Sequence, residues 1–198
     1  MPGSSTGRSE TPTDQTAGVW FDVRVLGVDR FHNILPVVQP GVTLNTPADP
    51  NDDIGSGLAE YSWDPLYQPL IQGTTVFRIN LDTANTNHYL RAEDTDGSGF
   101  YYGWTASDQI YVNPGPPVKL QVLLPGETPT PNTPLGKSGT PENQTAGAQF
   151  FVTVNCTDIL WNVNAGANPD VRVETNDIYA ENPSPAGLVN GTKIFPIT

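Results

Sequence analysis

The stretch TPTDQTAGVWFDVRVLGVDRFHN, residues 11–33, returns as TPENQTAGAQFFVTVNCTDILWN, residues 140–162, with no gap and with 11 of 23 positions identical. The same spacing of 129 residues lays Gly7, Arg8 and Ser9 on Gly136, Lys137 and Ser138, and Val42, Leu44 and Thr46 on Val171, Val173 and Thr175. Further on, GTTVFRIN from Gly73 matches GTKIFPIT from Gly191 at a spacing of 118, so the first copy carries 11 additional residues within 47–72. A chain that repeats itself at a fixed interval is built from copies of one structural unit, and that unit decides the fold.

Alternation inside the matched segments identifies the unit. Side chains two apart on a strand share a face, and Phe21, Val23, Val25 and Gly27 fall in one phase, as do Phe150, Val152, Val154 and Cys156. The opposite phase is polar, with Asp22 and Arg24 in one copy and Thr153, Asn155 and Thr157 in the other, as on an antiparallel sheet with one solvated face. Further strands are predicted over 42–46, 75–81, 88–92, 109–112 and 118–124, punctuated by Gly, Pro, Asn and Asp. With 19 Gly and 20 Pro among 198 residues, little room is left for helices of ordinary length, and helical periodicity is not found. The expected fold is all-β: tandem immunoglobulin-like antiparallel β-sandwiches of Greek-key type, the second incomplete. Repeat 1 is assigned to residues 1–113, a Pro/Gly hinge to 114–117, and repeat 2 to 118–198.

The register also bears on the ends. The strand over Val118–Leu124 is predicted to open repeat 2, and its counterpart in repeat 1 would fall before Met1. Repeat 1 is therefore expected to lack its opening strand, and repeat 2, which stops where repeat 1 has reached Asn80, its closing strands. Open sandwiches expose strand edges and apolar surface, which drive association. The chain is read as a window on a longer array, the alternative being that a neighbouring subunit supplies the missing strands.

A formal net charge of −12 repels phosphate backbones, which argues against nucleic acid as a partner. No run of 18 apolar residues is present, so membrane insertion is not expected. The single cysteine, Cys156, excludes an intrachain disulfide, and its phase with Val152 and Val154 makes it a buried small hydrophobe. The only histidines are His32 and His88; the repeat counterpart of His32 is Trp161, so a general-base role would have no equivalent in the other copy. With no nucleophile, metal or phosphate motif, an enzyme is not expected and no catalytic residue is assigned.

Two features remain as candidate sites. Asp94-x-Asp96-Gly resembles the start of a calcium loop, but the twelfth position is Thr105, and Asp-Gly is equally a hairpin turn. Calcium at Asp94 and Asp96 and a plain turn both stay open. Tyr61, Trp63, Tyr101, Tyr102 and Trp104 lie in loops special to repeat 1, where they would either stack on sugar rings or bury one another in a satellite core. Three Asn-x-Thr sequons, at Asn143, Asn155 and Asn190, arise readily in a chain this rich in Asn and Thr.

QTAG followed by an alternating F-x-V-x-V strand, then Asp29 and Asn33 in one copy and Asp158 and Asn162 in the other, resembles bacterial immunoglobulin-like tandem repeats of surface and secreted proteins. The stretch NPGPPVKLQVLLPGETPTP from Asn113 is similar to the junctions between such repeats. The resemblance implies an extracellular or cell-surface location, neighbouring repeats or copies of the same protein as partners, and, in such arrays, interdomain calcium. It implies a non-catalytic spacer or assembly module. The alternatives are a strand-exchanging subunit of an extracellular filament or surface layer, and a carbohydrate-binding or adhesin module that takes glycans on the aromatic loops.

Overall fold

The computed structural model describes residues 7–37, 40–47, 67–94, 96–97, 103 and 105–198. Among these the fold is all-β, without helices, in several small sheets. Among the described residues no helix is long and apolar enough to cross a membrane. The chain forms two compact units: unit 1 holds residues 1–81 and 86–112, and unit 2 holds 82–85 and 113–198.

Unit 1 contains β1 (Gln15–Thr16), β2 (Phe21–Leu26), β3 (Gly41–Asn45), β4 (Tyr67–Pro69), β5 (Thr74–Ile79), β6 (Thr86–His88), β7 (Arg91–Asp94), β8 (Thr105–Ala106) and most of β9 (Ile110–Asn113). These assemble in the orders β1-β9-β6, β2-β5 and β4-β3-β7-β8. The core takes Val42 and Leu44 from β3, Phe77 and Ile79 from β5 and Val112 from β9, together with Leu70, Leu81 and Leu90 from the segments between strands. One strand expected over 88–92 is instead two. β6 pairs with β9 and β7 with β3, and the chain changes sheets at Tyr89–Leu90. Buried Leu90 anchors the change, its amide bonded to Ser107 Oγ at 2.9 Å.

Unit 2 contains β10 (Lys119–Leu123), β11 (Glu127–Pro129), β12 (Lys137–Gly139), β13 (Phe150–Thr157), β14 (Asp170–Val171), β15 (Ala186–Gly187) and β16 (Thr192–Ile197). They pair as β10-β13-β16, β11-β12 and β14-β15. Val152, Val154 and Cys156 from β13 pack with Val171, Leu188, Phe195 and Ile197. The Pro/Thr-rich stretch after β10 forms the β11–β12 pair, Glu127 opposite Gly139. It is closed by Lys137 on the Glu127 carboxylate at 2.8 Å.

The duplication extends to backbone detail. Phe21 opposes Ile79 and Val23 opposes Phe77 in unit 1; Phe150 opposes Ile197 and Val152 opposes Phe195 in unit 2. Gln72-Gly73 and Asn190-Gly191 both have positive φ at each residue, the primed turn that suits the twist of two antiparallel strands. The Gly27 amide reaches Gly73 O at 2.9 Å, as that of Cys156 reaches Gly191 O at 2.7 Å. The same backbone solution is thus reached by two sequences that share fewer than half their residues.

Candidate functional site

The best-built polar site is a five-residue turn at the end of the long strand of each copy, Asp29–Asn33 and Asp158–Asn162. It forms because an aspartate at the first position bonds the amides ahead of it, which closes a tight loop. Asp29 Oδ1 accepts from the Phe31 and Asn33 amides at 2.8 and 2.9 Å, and Asn33 Nδ2 donates to Asp29 Oδ2 at 2.9 Å. Asp158 Oδ1 accepts from the Leu160 and Asn162 amides at 2.9 and 2.8 Å, and Asn162 Nδ2 donates to Asp158 Oδ2 at 3.0 Å. At the fourth position His32 and Trp161 both have positive φ, 63° and 69°. That kink is tolerable because the ring folds over a glycine: a Cβ on Gly7 would strike His32, and one on Gly136 would strike Trp161.

What the two turns hold differs. Asp158 and Asn162 are 0% and 1% exposed. Gly115 donates its amide to Asp158 Oδ2 at 2.9 Å. Asn162 Nδ2 donates to Asp82 O at 2.8 Å, and the Ala84 amide donates to Asn162 Oδ1 at 2.8 Å. Asn164 Nδ2 donates to Gly115 O at 2.9 Å, and Asn85 Nδ2 to Val163 O at 2.9 Å. This clamp gathers Asp82–Asn85, residues that lie in sequence between β5 and β6, into unit 2, together with the Pro-Gly-Pro-Pro stretch that precedes β10. The sequence reading placed those two segments in repeat 1 and in a hinge.

Asn33 is exposed, and Asp29 is half-buried. The Asn33 side-chain and backbone donors hold the Asp29 carboxyl below its ordinary value of 3.8. The Glu127 carboxyl is held below 4.5 by the Leu124 amide and then by Lys137.

Beyond the Gly-Pro stretch, the Val118 amide bonds Thr157 O at 2.8 Å, and β10 runs along β13 with Lys119 opposite Thr157 and Leu123 opposite Thr153. Gln121 is buried, donating to Gly136 O at 2.6 Å and accepting from Asn155 Nδ2 at 2.8 Å. Lys119 Nζ lies 3.9 Å from the centre of the Trp161 ring.

Tyr61, Trp63, Tyr101, Tyr102 and Trp104 lie outside the described residues. Asp94 ends β7 opposite Val42, and Asp96 Oδ2 accepts the Gly41 amide at 2.7 Å, so this carboxylate secures the start of β3. Among the described residues no group of three or more His, Cys, Asp or Glu side chains is placed to hold a metal ion. Cys156 is buried, which pushes its thiol up. Asn155 is buried and bonded to Gln121 and Thr192, so the folded chain does not offer it for glycosylation. The role of Asp158 and Asn162 as a clamp was not read from sequence; the signal available was their recurrence at the same spacing in both copies. Comparison with family models, curated proteins and solved structures returns no match.

Proposed function

We propose that the chain is a non-catalytic segment of an extracellular repeat array, two immunoglobulin-like sandwiches in tandem that serve as spacers and assembly modules. The observation that carries this reading is the treatment of the junction. Gly115 and the Pro-rich stretch around it are hydrogen-bonded to Asp158 and Asn164, and the strand that follows pairs with β13. A flexible linker between independent binding domains needs none of these bonds, whereas here the Pro-rich stretch is built into unit 2. The acidic surface fits an exposed, soluble array.

Single-molecule stretching of the chain, tethered at its ends, tests the reading. Two discrete unfolding events are expected, one of them at markedly lower force after Asp158→Ala. Specific glycan binding that is lost on Trp63→Ala or Trp104→Ala would overturn it in favour of a carbohydrate-binding module.

A further inference from the structure

The two units treat the flank of their long strand differently. In unit 2, the outer side of β13 is occupied by β10 over Thr153–Thr157. The equivalent residues of unit 1 are Arg24–Val28, and β2 pairs only with β5 among the described residues. The neighbouring bridge does not obstruct the flank, because Val28 bridges Ile34 just as Thr157, which carries β10, bridges Val163. The inward residues of the two strands also differ in burial. Val152 and Val154 are 3% and 2% exposed, whereas Val23 and Val25 are only half-buried. Beside them unit 1 has an open cavity of about 640 Å³, walled by Val23, Val25 and Gly27 on one side and by Val42, Leu44 and Ala92 on the other.

From this asymmetry we propose that the flank of β2 and the cavity beneath it form a receptor for one extended strand of the Pro114–Leu124 type, supplied by a further module of the same repeat. The inference rests on the array reading, and names the partner that completes unit 1. In unit 2, Leu120 opposes Cys156 and Val122 opposes Val154. A strand seated in the same register on β2 would set its Leu120 and Val122 equivalents beside Gly27 and Val25, over the cavity. Such side chains suit it: Val118, Leu120 and Val122 form an alternating row, 61%, 52% and 44% exposed.

The polar anchors are also present. Asp29 Oδ2, which corresponds to the Asp158 oxygen that takes the Gly115 amide, would receive the glycine of the incoming Pro-Gly-Pro-Pro lead. His32, in the place of Trp161, lines the cavity with its Nδ1 buried and without a hydrogen-bond partner among the described residues, where the Lys119 equivalent arrives. A second copy of this chain is a poor donor, because it would have to withdraw β10 from β13 and Gly115 from Asp158. The occupant is therefore a junction strand not already spent on its own module.

The test uses the full chain and a synthetic peptide of residues 114–126, PGPPVKLQVLLPG, labelled at its N-terminus. Saturable binding is expected, with new protection from hydrogen exchange over Arg24–Val28. Asp in place of both Leu120 and Val122 in the peptide should weaken binding at least tenfold while leaving the chain untouched. Asp29→Ala in the chain should weaken it by about tenfold, the worth of a hydrogen bond to a charged group. No binding, or protection gained on β13 instead, would overturn the proposal. Concentration-dependent dimers of the chain alone, with protection lost on β13, would also overturn it, by giving the groove to a second copy. None of these failures alters the two unfolding events expected of a spacer, and glycan binding would end the spacer reading while leaving the peptide result standing.

Discussion

The same aspartate does two different amounts of work in the two copies. Asp158 accepts four hydrogen bonds, three of them buried, so Asp158→Ala leaves buried donors unpaired and should cost about 3 kcal/mol, read from urea denaturation of the full chain. Asp29→Ala should give a clearly smaller shift, because the donors it abandons can turn to water. Equal losses would show that burial is not what distinguishes the two turns. Gly136 is a second decisive residue. With φ at +70° and a Cβ that would run into the Trp161 ring, Gly136→Ala should destabilise by about 2 kcal/mol or more. Acid sensitivity is also set here. Asp29 and Glu127 are held below their ordinary values, so the folded state favours their charged forms more than the unfolded state does. Their contribution is complete above those ordinary values and is lost as pH falls through the lower folded ones. The urea midpoint should therefore drop as pH falls below about 4. Glu127→Gln should flatten part of that drop, and an unchanged profile would show that Glu127 adds nothing to it.

Among the elements, β10 joins the junction to unit 2, and its two faces differ. Gln121 and Leu123 are buried; Leu120 and Val122 are exposed. Leu123→Ala should cost about 2–4 kcal/mol, a cavity-forming loss, whereas Val122→Ala should stay within about 0.5 kcal/mol as an ordinary surface change. Comparable losses at both positions would mean that the exposed row is covered in solution. Period-two alternation placed β2, β10 and β13 closely, since one polar and one apolar face is legible wherever a strand is half-buried. It failed at His88–Ala92 because a chain passing from one sheet to another keeps an extended, alternating pattern through the change. It also missed the short strands β11 and β12, whose Pro, Thr and Gly residues pair through backbone and a salt bridge rather than through an apolar face.

For the whole molecule, two compact units imply that unfolding is not a single two-state event. Urea denaturation followed by hydrogen exchange should resolve two transitions, and Asp158→Ala should move only that of unit 2; a single cooperative transition shifted as a whole would contradict this. Sequence alone determined the all-β class, the duplication and its register, because side-chain period and turn chemistry are local properties that survive in a one-dimensional pattern. The recurrence of Asp and Asn four residues apart was visible too, but its use was not. Only the tertiary structure decided that one copy is buried around Asp82–Ala84 and Gly115 while the other has an exposed Asn33 and follows a strand that, among the described residues, is paired on one side. A hydrogen bond between residues 78 or 80 positions apart depends on where the chain has been brought in space, and no local pattern carries that information.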